Sequence, residues 1–270
     1  LRSWLVQNLS LDLRSLALFR ICLALVLLQD IVIRACDLTA HYTDSGVLPR
    51  QTGTFWSLHM ISGSWEWQLL LFSFQAFWAV LLLLGWRTRL TTVVSWFLML
   101  SLHHRNTHIL DGGDFYFRSL LMWAMFLPLG DYWSIDWASE SPHSSESEKS
   151  AVELSWFGAG AIAYPMQVTL LYLVSGYLKQ GVVWTTDHTA LYRTLSLGEL
   201  ATPRAAWLLQ SPQWMKKLTV FTLWLERCAP LLFWCPGFVR LFTVFLFIGL
   251  HISFGLFIHL GVFCSIGIVG

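Results

Sequence analysis

Apolar residues in this chain gather into long continuous runs, without strand-like alternation or narrow helical stripes. Seven runs are long enough, or nearly so, to cross about 30 Å of hydrocarbon as helices: residues 16–33, 67–86, 90–102, 115–129, 154–178, 218–233 and 238–260, with a partial eighth beginning at residue 262. The third and fourth are short and lie either side of Asp111-Gly112-Gly113-Asp114, which predicts a tilted span or a dip around that turn. The pattern predicts an all-α fold: one polytopic transmembrane bundle over residues 1–270, with seven or eight membrane helices, interfacial helices and no sheet.

Three polar connections break the runs. Residues 35–66 predict a surface helix at 54–61. Residues 134–153 are rich in Ser and Glu and read as a solvated, mobile loop. Residues 180–217 place Trp184, Trp207 and Trp214 among Arg193, Arg204, Lys216 and Lys217, a mixture suited to helices lying in the interface plane.

Composition removes the soluble alternative. Hydrophobic residues make up 56% of the chain and charged residues 12%, about half the share of roughly 25% usual in a globular protein. A net charge of +1 gives no footprint for nucleic acid, and the lipid bilayer is the expected partner. The five cysteines show no metal-like cluster and read as buried thiols. The amino-terminal residues lack a cleavable signal pattern, so the first span is expected to act as the anchor. Gly270 stops inside an apolar stretch, which suggests that the chain continues. Arg87 and Arg89 in the short link after the second span point to a cytoplasmic amino terminus, and a bacterial inner membrane is the expected location.

Ionisable groups inside apolar spans cost about 2.5–3.5 kcal/mol each on insertion scales, so each needs a partner or a purpose. They include Arg20, Asp30, Arg118, Lys179, Glu226, Arg240, His251 and His259. Arg20 and Asp30 are ten residues apart on one helix, about 15 Å, so their partners are expected from other spans. Lys179 closes the run that begins at Gln167, with Trp184 just beyond. An amine there either snorkels to the headgroups or, desolvated, serves as a base. Glu226 is amid apolar neighbours and needs a cation, for which Lys179 is the candidate. His104 and His108, spaced i, i+4 and followed by Asp111, could present two imidazoles and a carboxylate on one helix face, but no third strong ligand is fixed by spacing and no metal is expected.

Several short motifs then fall into a recognisable order. They are Leu18-Phe19-Arg20-Ile21, Tyr42 to Pro49, Gly85-Trp86-Arg87-Thr88-Arg89, Asn106 to Asp114, Trp133-Ser134-Ile135-Asp136, Gly176-Tyr177-Leu178-Lys179 with Trp184, and His251 with Phe254 and Gly261. Together they resemble the HTTM family, the membrane domain of vitamin K-dependent gamma-carboxylase and its bacterial relatives. The resemblance covers nearly the whole chain. It implies that Lys179 is the base activating vitamin K hydroquinone. It also implies an assisting histidine, which is His108 if an insertion is allowed; an ungapped alignment puts Gly113 or Asp114 there. The candidate catalytic residues are therefore Lys179, His108, Glu226 and His251, and the candidate quinone-binding residues are Asp114, Arg118 and Trp184. The soluble domain with which the carboxylase captures its glutamate-rich substrate has no counterpart in these residues.

Two functions of different class follow. One is a quinol- and O2-dependent carboxylase or oxygenase using Lys179 as base, with a reduced quinone as cofactor and a peptide as substrate. The other is a non-catalytic scaffold, maturation or accessory subunit of a larger membrane complex. A transporter is the third reading, resting on Glu226, Arg118 and Lys179 alone. A quinone-sized cavity holding the Lys179 amine favours catalysis; Lys179 among the headgroups favours the scaffold.

Overall fold

In hydrocarbon the backbone must satisfy its own hydrogen bonds, so runs of this length and apolarity fold as helices. The computed structural model describes residues 6, 8–50, 56–140 and 154–270. The protein is about 73% helical, with almost no strand. Four helices are long and apolar enough to cross a membrane: Leu13–Cys36, Trp65–Leu84, Ala159–Leu178 and Phe238–Phe257. The chain divides into two compact units near residue 162.

Unit 1 holds four long helices, α1 (Leu13–Cys36), α2 (Trp65–Leu84), α3 (Thr88–Arg105) and α4 (Gly112–Ala124), each packed on the next. Polar residues set their ends. Asp12 caps α1 by accepting from Arg14 N at 2.8 Å, and Ser64 accepts from Trp67 N at the start of α2. Gly85 ends α2 at φ 74°, a left-handed conformation that favours glycine. The side chain of Asp136 then accepts from Arg87 N (2.7 Å) and Thr88 N (3.0 Å), satisfying the first donors of α3. Asp111 and Asp114 form a reciprocal capping box at the start of α4.

Unit 1 departs from the sequence expectation in several places. The 18 residues of α3 carry Thr88, Thr91, Thr92, Ser95, Ser101, His103, His104 and Arg105, so α3 is less apolar than its neighbours. The 13 residues of α4 reach only about 20 Å. Within the expected surface helix at 54–61, Leu58–Met60 form a single 3-10 turn, and residues 51–55 lie outside the described residues. In the expected loop at 134–153, Ile135–Glu140 are helical because Ser134 and Asp136 hold that turn; residues 141–153 lie outside the described residues. Sheet was not expected, yet Leu11–Asp12 pairs antiparallel with Ser155–Trp156, which moves the start of the 154–178 span to Ala159.

Arg20 and Asp30 find partners differently from the reading that sent both to other spans. Asp30 pairs with Arg34 on its own helix, four residues on, at 2.8 Å. Arg34 lies one residue beyond the 16–33 run. The Arg20 guanidinium, 1% exposed, bonds no carboxylate among the described residues and instead donates to the carbonyls of Leu129 (2.8 Å), Tyr132 (3.4 Å) and Trp133 (2.5 Å).

Unit 2 contains most of α5 (Ala159–Leu178), then α6 (Pro212–Cys228) and α7 (Phe238–Phe257). Short helices at Val182–Thr185, Ala190–Leu195 and Ala205–Leu209 pack on α6, and the 3-10 segment Ala229–Trp234 leads into α7. Leu195, Ala205, Met215 and Ile258 form a buried core there. α5 and α6 approach closely at Gly176. A Cβ at Gly176 would come within 3.0 Å of Arg227 Cγ, Arg227 N and Glu226 C, two of them backbone atoms.

Candidate functional site

The helical period decides which polar side chains share a face in unit 2. Ser175 precedes Lys179 by four residues on α5 and so lies on the same face, one turn away. The Lys179 ammonium donates to Ser175 Oγ at 2.7 Å and to the Glu226 carboxylate across the α5–α6 contact; Ser175 Oγ donates to the same Glu226 Oε2 at 3.2 Å. Glu226 is buried, and the Lys179 side chain is 21% exposed. The Trp184 ring covers the ammonium, its centroid 5.4 Å from Nζ. The amine is thus held between helices and does not extend as a free snorkel. Beside it, Arg227 donates to the carbonyls of Gly176 (2.8 Å) and Lys179 (3.0 Å), satisfying the exposed C-terminal carbonyls of α5.

An apolar cavity of about 400 Å³ opens in the same unit. Its walls include Leu195, Trp207, Phe221, Phe245, Phe254 and Phe257, and its polar edges are Thr222 and Ser253. Lys179 does not line it. Thr222 precedes Glu226 by four residues on α6, so the carboxylate follows one turn beyond the cavity wall. Gly249 lines the cavity, and a Cβ there would meet nothing within 4 Å.

His251 makes a separate contact. Its Nε2 shares a 2.8 Å hydrogen bond with Tyr172 OH, with Phe254 and Phe263 against the ring. Gly267 leaves room for the imidazole that any side chain would take. Lys179, Glu226 and Trp184 therefore form one group, and His251 with Tyr172 another, seven residues back along α5 from Lys179.

The remaining candidates belong to unit 1. Asp114 is committed to its helix cap, to Arg34 (2.5 Å) and, at 3.5 Å, to His103 Nε2. Arg118 donates from Nε to His103 Nδ1 at 2.8 Å and stacks over Phe115. His108 is exposed, with its backbone N–H on Asn106 Oδ1. The shared helix face for His104 and His108 does not form, because α3 ends at Arg105 and residues 107–109 make a separate 3-10 turn. Among the described residues, no group of three His, Cys, Asp or Glu could hold a metal ion.

Outside the spans, burial pushes the His59 imidazole down to about 4, partly offset by its 2.6 Å hydrogen bond to Gln68. The Arg50 guanidinium holds Asp44 down at about 2.

Sequence reasoning missed Ser175, Tyr172 and the cavity. The i, i+4 spacing to Lys179 was a readable signal for Ser175; Tyr172 and the cavity lining come together only through packing. Comparison with protein-family models, curated proteins and solved structures finds no match for the chain. What the fold defines is a helical protein with four helices long and apolar enough to cross a membrane and a lysine–glutamate pair that joins α5 to α6.

Proposed function

We propose that the chain is a membrane enzyme that binds a reduced quinone in the unit 2 cavity and uses the Lys179–Glu226 pair as its base, in the manner of the quinol- and O2-dependent carboxylase or oxygenase that the HTTM resemblance implies. The observation carrying this reading is the placement of the Lys179–Glu226 ion pair one turn along α6 from an apolar cavity of about 400 Å³. That volume and the aromatic walls suit a flat ring with an apolar tail, and the Thr222 and Ser253 hydroxyls could orient its oxygens.

When bound, a hydroquinone supplies reducing equivalents and an acidic hydroxyl. The protein supplies the base. By passing the ammonium proton to Glu226, the pair can free the Lys179 amine to take one proton from the hydroquinone, ending as ammonium and carboxylic acid, with Ser175 Oγ bonded to both partners during the exchange. Trp184 limits water access to the amine. The same reading keeps seven or eight spans, with α3, α4 and α6 crossing alongside the four longer helices, in a bacterial inner membrane with the amino terminus cytoplasmic and a peptide as substrate.

One observation favours the scaffold reading. Lys179 is already neutralised by Glu226, and with Arg227 it forms a clasp between α5 and α6 that needs no chemistry. Solvent extraction of the purified protein separates the two. The enzyme reading expects bound quinone in the wild type and in Lys179→Ala, and none in Gly249→Phe, whose ring would fill the cavity. Absence of quinone from all three, together with no quinol-dependent turnover, leaves the scaffold.

A further inference from the structure

At one end of unit 2 the cations are left uncommitted. Three others are bonded within the protein: Lys179 to Glu226, Arg227 to the carbonyls of Gly176 and Lys179, and Arg240 to that of Cys235. Arg193, Arg204, Lys216 and Lys217, the remaining arginines and lysines of the unit, are exposed. Their side chains make no hydrogen bond or ion pair among the described residues; only Lys217 has a contact, its ammonium 4.6 Å from the centre of the Trp214 ring. Water alone can satisfy such groups, so their position decides what they meet.

The four share one layer. Leu195, Ala205, Met215 and Ile258 pack into a single core, and each cation is within two residues of one of the first three. Thr202 N donates to Phe257 O at 3.0 Å and His259 N to Leu200 O at 2.7 Å, which fastens the short helices across the end of α7. Leu191 N donates to Thr219 Oγ1 at 3.3 Å, which fastens them to the first half of α6. The start of α6, the end of α7 and the short helices are therefore level, and the cations stand on the outside of that layer.

The surface changes character at the edge of this layer. Lys217 is followed on its own face of α6 by Phe221 and Trp224, both exposed, with no further charge before Glu226. On α7, Phe245, Ile252 and Leu256 are exposed, and no Lys, Arg, Asp or Glu follows Arg240. Trp207 and Trp214, 70% and 60% exposed, stand in the layer itself, and such rings favour the boundary between hydrocarbon and headgroups. A lysine there lays its stem on apolar surface and keeps its ammonium among the headgroups. Against the four cations, residues 180–217 hold two carboxylates, Asp187 and Glu199, so the layer is net basic. The anion at this height of a bilayer is the lipid phosphate. A zwitterionic headgroup brings a cation with each phosphate, so a net-basic layer gains most from lipids of net negative charge.

We propose that residues 190–217 form a docking surface for anionic phospholipid headgroups, with Arg193, Arg204, Lys216 and Lys217 meeting the phosphates and Trp207 and Trp214 fixing the depth. It depends neither on what fills the cavity nor on chemistry at Lys179.

Thermal unfolding of the full chain tests this in mixed micelles of a neutral detergent with phosphatidylglycerol or with phosphatidylcholine of the same acyl chains. At equal mole fraction the wild-type Tm should be several degrees higher in phosphatidylglycerol, and the difference should shrink as sodium chloride rises from about 0.05 to about 0.5 M. A variant combining Arg193→Gln, Arg204→Gln, Lys216→Gln and Lys217→Gln should match the wild type in phosphatidylcholine, because all four side chains are exposed, and should lose most of the difference. A variant combining Arg87→Gln and Arg89→Gln, which removes an exposed basic pair of unit 1, should keep it. Equal wild-type Tm in the two lipids, a difference that survives in the fourfold variant, or one lost instead in the Arg87 and Arg89 variant overturns the proposal. Soluble polyglutamate added to the phosphatidylcholine micelles should give no comparable gain; a gain equal to that from phosphatidylglycerol would overturn the lipid assignment and transfer the surface to an acidic polypeptide.

Discussion

Replacing Lys179 by Met keeps the apolar stem and removes the ammonium, leaving the buried Glu226 carboxylate with only the Ser175 hydroxyl. Breaking a buried pair from one side costs about 3–5 kcal/mol. The lysine keeps 21% of its side-chain surface, so the low end, about 3 kcal/mol, is expected. Glu226→Gln should cost less, because the amide oxygen still accepts from the ammonium and from Ser175. In the double variant the two losses should not add, falling short of the sum by about 1 kcal/mol or more, since each single change already removes the same interaction. Denaturant-dependent unfolding in mixed micelles, followed by tryptophan fluorescence, measures all four corners of the cycle. Additive losses, or single variants within about 0.5 kcal/mol of wild type, would refute the view that this pair joins α5 to α6. Lys179→Arg then separates structure from chemistry. A guanidinium can keep the ion pair, so stability should largely return, but it stays protonated, so quinol-dependent turnover should remain lost. Full turnover in the Arg variant removes Lys179 as the base and transfers the preference to the scaffold.

Other changes probe the supports around the site. Gly176→Ala pushes a methyl against the α6 backbone and should destabilise by about 1–3 kcal/mol, readable as a lowered Tm; an unchanged Tm would mean that the helices separate freely there. Arg20→Met strands the carbonyls of Leu129, Tyr132 and Trp133 and should cost about 3 kcal/mol or more, and a smaller loss in the same unfolding assay would show that those carbonyls find other donors. His59 is held neutral, its value lowered to about 4 against 6.5 when unfolded, so the unfolded chain binds the extra proton between those values. Stability should therefore be full above pH 6.5 and fall by up to about 3 kcal/mol as the pH drops towards 4. His59→Gln should flatten that part of the profile, and a slope unchanged in the variant assigns it to another group.

The sequence by itself determined that the chain is mostly helical, with helices long and apolar enough to cross a membrane. Long apolar runs leave the backbone no solvent to bond, so they become helices, and local chemistry at Ser64, Gly85 and Asp111 set several of their ends. It also singled out Lys179 and Glu226, because isolated charges in apolar runs are conspicuous. Tertiary structure decided what each charge meets. Asp30 turned to Arg34 within its own helix, Arg20 to three loop carbonyls, and Asp114 to a cap and Arg34, outcomes set by side-chain reach and helix rotation that a linear pattern does not contain. The cavity is a packing result of the same kind. Phe221, Gly249 and Phe254 stand in ordinary apolar runs, and only the way α6, α7 and the short helices fail to close against one another makes them a wall. Burial follows from composition, but a void depends on shape, and shape is fixed only when the helices meet.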